Sequence, residues 1–265
     1  MKIIVEGNIT GAKKARQRKG IAIMVDALRA SVSLTTAMNC GIKKIYIVKD
    51  VKDTRLIAKK HQTLLMGERN TIKLPNFDFG NSPTEIISEK KLPAKPIAFT
   101  SSTGARRIID TIGSEATLVG SAPNAQAIVH FTQQLYRKNE EEKPIIIIPG
   151  YTEGPITKNL LTEDQLGGLI IAREFQKEAG NEPIDMSSEL LDEIGLLNSF
   201  LETQSLYDLF LKTHHAKKLI NRGLKSDVEF CSKINVLENV PYSLNDYFSL
   251  ENGAKVMQLK NYEMK

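Results

Sequence analysis

Ile21-Ala22-Ile23-Met24-Val25-Asp26-Ala27-Leu28-Arg29-Ala30-Ser31 opens as a strand and closes as a helix. Its first five residues are apolar, rich in branched side chains and too few for a helix, which reads as a buried strand. From Ala30 to Asn39 the sequence is helix-compatible and stops before Gly41, a residue suited to the left-handed position that ends helices. Asp26 and Arg29 therefore sit where a strand hands over to a helix. In open α/β sheets, ligands gather at the carboxyl ends of strands. An acid that can hold a metal and a base that can hold an anion stand there together.

The alternation continues on both sides. Residues 2–6 read as an edge strand. Strands are expected at 44–48, 63–66, 97–100, 117–119 and 145–148, the last an unbroken isoleucine run. Helices are expected at 50–60, from the turn at 101–104 to about 112, and at 125–137. Another runs from 162 to about 179, opened by the capping-box spacing Thr162-Glu163-Asp164-Gln165. Residues 70–83 carry Asn, Gly, Pro and Asp without a period and read as a loop. Residues 138–143 form a charged turn, 185–223 read as helical, and Val228-Glu229-Phe230-Cys231 as a strand-like patch. Alternating strands and helices predict a three-layer α/β/α architecture with a mostly parallel or mixed central sheet. One domain over 1–265 is expected, with room for a helical lobe after 185.

Composition narrows the class. The chain has 265 residues, 41% hydrophobic and 25% charged, ordinary for a globular protein. No apolar run approaches the roughly 18 residues that would span a membrane, and the N-terminus lacks a signal-peptide layout. The cytoplasm is the expected compartment. Cys40 and Cys231 have neither disulfide-framework nor zinc spacing and read as packed free thiols. The net charge of +5 suits a small anionic substrate as well as plain solubility. The basic run Lys13-Lys14-Ala15-Arg16-Gln17-Arg18-Lys19 has no interleaved aromatics. It reads as a solvated loop rather than a nucleic-acid contact.

Several strand ends finish in polar clusters: Asp26 with Arg29, Glu68 with Arg69, Thr100 through Gly104, and Gly120 with Ser121. Helix capping explains any one of them. Together they offer carboxylates for a hard cation, arginine forks that match phosphate or sulfonate, and a Gly/Ser/Thr turn that favours an anion. Asp78 to Pro83 is either an ordinary turn or a donor-bearing loop through Asn81 and Ser82. Glu163 and Asp164, in the first turn of a helix, answer the helix dipole or hold a metal. Gly167 and Gly168 let that helix pack closely or let a ligand approach. Neither GxGxxG nor GxxxxGK[ST] occurs. His214 and His215 are adjacent on a helix, face different sides and read as surface or packing residues. His61 and His130 have no partner pattern.

Val25-Asp26-Ala27-Leu28-Arg29-Ala30-Ser31, Gly67-Glu68-Arg69, Phe77-Asp78-Phe79-Gly80-Asn81-Ser82-Pro83, Thr100-Ser101-Ser102-Thr103-Gly104 and Glu163-Asp164 resemble, in order and spacing, the 2-phosphosulfolactate phosphatase (ComB) family. Arg222-Gly223, Asp227 to Cys231 and Val240-Pro241 match its ending. The resemblance implies a Mg²⁺-dependent phosphatase that converts 2-phospho-3-sulfolactate to 3-sulfolactate and phosphate in coenzyme M biosynthesis. It implies a catalytic set of Asp26, Arg29, Glu68 and Asp164. Asp26, Glu68 and Glu163 would hold Mg²⁺ directly or through water. Arg69, Asn81, Ser82, Ser101, Ser102, Thr103 and Gly104 would bind a small phosphorylated hydroxy acid. A homo-oligomer is compatible with this reading. Where the family shows a Thr-Thr-Asn-Gly-Thr turn, this sequence reads Thr100-Ser101-Ser102-Thr103-Gly104-Ala105, with the Asn absent and the last Thr replaced by Ala105. That departure keeps a second reading open: a small-anion-binding protein without turnover.

Overall fold

All five residues of Ile21–Val25 are buried, and parallel strands flank them on both sides. The computed structural model describes residues 1–89, 92–137, 143–154, 157, 162–178 and 183–264. In chain order it contains β1 (Ile3–Val5), α1 (Asn8–Gln17), β2 (Ile21–Val25), α2 (Ala30–Asn39), β3 (Lys44–Val48), α3 (Val51–His61), β4 (Leu64–Arg69) and β5 (Ile72–Lys73). Next come α4 (Pro83–Ser88), β6 (Ile97–Thr100), α5 (Gly104–Asp110), β7 (Ala116–Val119), α6 (Ala125–Arg137), β8 (Ile145–Pro149) and α7 (Glu163–Glu178). The C-terminal part adds α8 (Ser188–Leu201), α9 (Leu206–Phe210), α10 (His214–Ile220), α11 (Lys225–Cys231), β9 (Asn239–Ser243), β10 (Tyr247–Ser249) and β11 (Lys255–Glu263).

The strands form one mixed sheet in the order β1-β8-β2-β7-β9-β11-β3-β6-β4-β5, with β10 on the side of β11. Period-two alternation sends Ile21, Ile23 and Val25 to one face and Ala22 and Met24 to the other. The first face packs on α6, α7 and the helices after 185, and the second on α1, α2 and α5. Both faces are covered, so β2 and β8 read as unbroken apolar runs rather than alternating ones. Gly167 marks where α7 comes closest to the sheet. A Cβ there would lie 2.7 Å from Ser121 Oγ and 3.1 Å from Val25 Cγ1. This is helix packing, the first of the two readings of that glycine.

The sheet is two parallel blocks joined by C-terminal strands. β9 is antiparallel to β7 and to β11, and β11 is antiparallel to β3. The β3-β6-β4 block therefore runs opposite to the β1-β8-β2-β7 block. Six interstrand steps separate β2 from β4. At roughly 20–25° of twist each, they rotate one block about 120–150° against the other. That rotation offsets most of the reversal and turns the carboxyl ends of β2 and β4 toward the same side.

Four local expectations are corrected. Residues 225–231 are helix α11, not strand, because Asp227, Val228 and Cys231 bury one helical face. The basic run is the end of α1 and the turn after it, not a loop before the first core strand. That helix buries Gly11, Ala12 and Ala15 and pairs Lys14 with Glu6. The loop at 70–83 contains the short strand β5, and its last residues open α4, where Ser82 accepts from the Glu85 N–H and Pro83 holds the first position. The tail supplies three strands that the sequence reading lacks. Of the charged turn at 138–143, residues 138–142 lie outside the described residues, as does position 179 at the end of α7.

Candidate active site

Asp26 leaves β2, Glu68 lies near the end of β4, Ser102 and Thr103 follow β6, and Glu163 and Asp164 open α7. All of them line one cleft of about 430 Å³. Arg29, Asn81, Arg107, His214, His215 and Lys218 line it too. Carboxylates and cations thus face one another across a space suited to a small anion.

The acids are held by backbone donors. Asp26 Oδ1 accepts from the Ala30 N–H at 3.1 Å, and the Asp26 N–H donates to Ser31 Oγ at 2.8 Å. Asp26 Oδ2 accepts no protein hydrogen bond among the described residues, and it lies against Gly104. A Cβ at position 104 would sit 2.7 Å from that oxygen and 2.5 Å from the Ala30 Cβ. Asp164 accepts from the Ala27 N–H at 2.7 Å and the Tyr151 N–H at 3.0 Å. Glu68 accepts from the Ser102 N–H at 2.7 Å, the Thr71 N–H at 2.6 Å and the Ser102 hydroxyl at 3.2 Å. Glu163 Oε1 lies 3.1 Å from His215 Nδ1.

Crowding shifts their titration. Burial pushes Asp26 up, the Ala30 N–H bond and His215 pull it back, and the Glu68 and Glu163 charges push again, leaving it raised. Burial and the neighbouring Asp26 and Glu163 charges hold Asp164 well above the usual carboxylate range. Burial also acts upward on Glu163, but the His215 bond and charge outweigh it and leave this carboxyl lowered. Opposite shifts in two adjacent acids are a frequent feature of functional sites.

Arg29 is 3% exposed, and the Leu28–Arg29 peptide is cis. Its Nη1 donates to Asp227 Oδ2 at 2.6 Å and its Nη2 to the Thr71 carbonyl at 3.2 Å. Asn81 lines the cleft with its Oδ1 buried and unpaired among the described residues. Ser82 is turned away and donates to Asp227 at 2.7 Å. Ser101 Oγ accepts from the Ala105 N–H in the first turn of α5 at 2.9 Å. With the Ser102 N–H given to Glu68, this turn keeps fewer free backbone donors than an anion cradle implies. Arg69 is not on the cleft wall: it donates to the Glu68 and Lys49 carbonyls and to Thr100 Oγ1.

The sequence reading missed His215, Arg107, Lys218 and Asp227. His215 meets Glu163 across the cleft and is more than a surface or packing residue. Only tertiary structure brings α10 there. Asp227 lies in the tail segment that the family resemblance covers, which was its one visible signal. Among the described residues, no three His, Cys, Asp or Glu side chains stand close enough together to hold a metal directly. No described helix is long and apolar enough to cross a membrane.

Acids that end strands and open a helix, with arginine and lysine on the same cleft, make an α/β protein with a charged site of small-molecule size. Residues 9–246 match the family described as 2-phosphosulpholactate phosphatase. A protein of Carboxydothermus hydrogenoformans, described as a "probable 2-phosphosulfolactate phosphatase", is 30% identical over 221 residues, 83% of this chain and 84% of its own. One from Thermotoga petrophila with the same description is 30% identical over 232 residues, 87% of this chain and 92% of its own. The chain belongs to the 2-phosphosulpholactate phosphatase family and is a phosphoric monoester hydrolase.

Proposed function

We propose that the protein hydrolyses 2-phospho-3-sulfolactate to 3-sulfolactate and phosphate with Mg²⁺, as a cytoplasmic step of coenzyme M biosynthesis. One observation carries the reading: in a chain of this family, Asp26, Glu68, Glu163, Asp164 and Arg29 converge on a single cleft. Phosphate-monoester hydrolysis without a catalyst is so slow that the acceleration required reaches about 10²¹-fold. Most of it has to come from positioning and charge stabilisation.

The donor set fits a hard divalent cation. Burial and then the Glu68 and Glu163 charges raise Asp26, burial and then the Asp26 and Glu163 charges raise Asp164, and Asp26 keeps one oxygen without a protein donor among the described residues. Mg²⁺ needs only one or two carboxylates and keeps several waters, so a three-residue cage is not required. Asp26 and Glu163 would hold it, with Glu68, already accepting three bonds, contributing through water. When bound, the ion would neutralise charge on the phosphoryl oxygens. Arg29 would receive a phosphoryl oxygen with the N–H groups it does not spend on Asp227 and Thr71. Asn81 would bind the acid end of the substrate. Arg107 and Lys218, rather than Arg69, would meet the second anionic group. Asp164 would orient the attacking water.

Phosphate release from 2-phospho-3-sulfolactate, and from a panel of other phosphorylated 2-hydroxy acids, tests this with and without chelator. The expected result is release that chelator stops and Mg²⁺ restores. No release with Mg²⁺, or release indifferent to chelator, would sink the corresponding half of the proposal. In a second route the uncommitted oxygen of Asp26 would attack phosphorus itself, forming an aspartyl-phosphate as the hydroxy acid leaves with its ester oxygen, and water would then hydrolyse that intermediate. Labelled phosphate trapped on the protein during turnover would identify that route.

A further inference from the structure

Asp227 does not line the cleft, yet it is fully buried and its oxygens carry four hydrogen bonds. Oδ2 accepts from Arg29 Nη1 at 2.6 Å. Oδ1 accepts from Ser82 Oγ at 2.7 Å, Thr84 Oγ1 at 2.5 Å and the Thr84 N–H at 3.3 Å. Asp227 and Arg29 are 0% and 3% exposed. A buried ion pair is a costly way to fill a core position, and an apolar pair of similar volume often does as well or better. Its placement behind a cleft arginine calls for a geometric role.

We propose that Asp227 is a positioning residue that fixes the Arg29 guanidinium in the orientation that receives the substrate's phosphoryl oxygens. The proposal rests on the reading that Arg29 contacts substrate. Two anchors hold the planar fork: Asp227 on one arm and the Thr71 carbonyl, at 3.2 Å, on the other. A guanidinium pinned at two points has its plane set, and its remaining N–H groups have a fixed direction. The anchors come from different parts of the fold. Asp227 is on α11, while Thr71 is in the turn between β4 and β5. Arg222, just before α11, donates to the Asn70 carbonyl and Thr71 Oγ1, so the same lobe also holds the second anchor. Through Ser82, Asp227 further fixes the backbone beside Asn81, whose unpaired Oδ1 belongs to the cleft. One buried carboxylate thus sets the register of two cleft groups that are 52 residues apart in the chain.

The test measures kcat and KM for 2-phospho-3-sulfolactate, and the dissociation constant of inorganic phosphate, in Asp227→Asn, Arg29→Met and the double variant. Asp227→Asn keeps shape and an acceptor for Ser82 and Thr84 but removes the charge that faces Arg29. It is expected to raise KM and the phosphate dissociation constant about 10- to 100-fold, the scale of a misplaced binding group. In the Arg29→Met background the same substitution should change neither by more than about twofold, since groups acting as a unit are non-additive. Additive losses, or wild-type KM in Asp227→Asn, overturn the assignment.

Thr84→Val removes a bond to the other carboxylate oxygen and controls for plain stability. It should lower the melting temperature and leave KM within about twofold, because the Asp227 charge and its Oδ2 bond to Arg29 both remain. A parallel rise in KM would make Asp227 merely structural. Should Asp227→Asn not fold, Asp227→Glu takes its place. It keeps the charge but shifts the carboxylate by one methylene, so KM should rise in the wild-type background and not in Arg29→Met, and a wild-type KM overturns the assignment. Wild-type kinetics in Arg29→Met would instead overturn the underlying reading of Arg29. An impaired Arg29→Met beside an unimpaired Asp227→Asn would overturn the Asp227 assignment alone.

Discussion

Asp26 is the residue at which chemistry and stability pull apart. Its Oδ1 is satisfied by the Ala30 N–H, while Oδ2 accepts no hydrogen bond among the described residues and lies beside Gly104 in a cleft crowded with other acids. Asp26→Asn keeps the Ala30 bond and removes one charge from that crowd. Turnover is expected to fall by at least about 10²-fold, the scale of a lost electrostatic stabiliser. The melting temperature should hold or rise. Activity near wild type would remove Asp26 from the mechanism. Gly104→Ala acts on the same oxygen from the other side. Its Cβ would meet Asp26 Oδ2 at 2.7 Å and the Ala30 Cβ at 2.5 Å. Forced shifts of this kind cost about 1–3 kcal/mol. A lower melting temperature together with lower turnover is expected, and a neutral variant would contradict the packing. Residues at strand ends were readable because several polar clusters recur at the carboxyl ends of strands, where ligands gather in open α/β sheets. Arg69 was misread for a simple reason: neighbours on a strand point to opposite faces. Glu68 faces the cleft, so Arg69 faces Lys49 and Thr100. His215 left no local trace because its meaning depends on Glu163, 52 residues away.

At the scale of elements, the parallel strands were legible and the tail was not. β2 and β8 are buried on both faces and so announce themselves as apolar runs, whereas β9 contains Pro241 and β11 mixes lysine and asparagine with its buried Val256, Met257 and Leu259. Yet β11 pairs with β3 through five residues and with β9 through four, joining the two blocks. Deleting residues 255–265 should therefore abolish folding rather than fray an end, read by loss of far-UV signal and of protease resistance. A stable truncated protein would contradict this topology. α11 was mistaken for a strand because its apolar residues are few, and the spacing Asp227, Val228, Cys231 only makes sense around a helix. Its Cys231 is fully buried, and burial first, then the Asp227 charge, push its thiol well above the ordinary value. In native protein a thiol reagent should label the partly exposed Cys40 and spare Cys231. Folding stability should fall as pH rises above about 8.5, where the unfolded thiol ionises and the folded one does not. Rapid native labelling of Cys231 would show that α11 opens.

The whole molecule has two oppositely directed blocks, and twist brings their strand ends to one cleft whose floor is acidic although the chain carries a net +5. Fold class and the strand-end acids could be read locally, but this convergence could not, since it depends on where the tail enters the sheet. It also makes a thermodynamic demand. Asp26 and Asp164 both bind their protons more tightly folded than unfolded. In metal-free protein, the contribution of these two acids to stability therefore declines as pH rises from the unfolded carboxylate value near 4 through the folded values, against the opposite contribution of Glu163. A divalent cation that binds the folded cleft alone should reverse this decline. At about 100 times its dissociation constant, it contributes roughly 2.7 kcal/mol. For a chain of this size that corresponds to a melting shift of about 5–10 °C. Thermal denaturation across a Mg²⁺ series is expected to show this shift near neutral pH, to show less of it toward pH 4 as protons compete, and to lose it in Asp26→Asn and Glu163→Gln. Because the readout is unfolding rather than turnover, it separates a cation held by the cleft from one carried in by the substrate. Wild-type melting that ignores Mg²⁺ at every pH would mean that these acids repel one another without a resident ion, and the metal would then have to arrive bound to the phosphate.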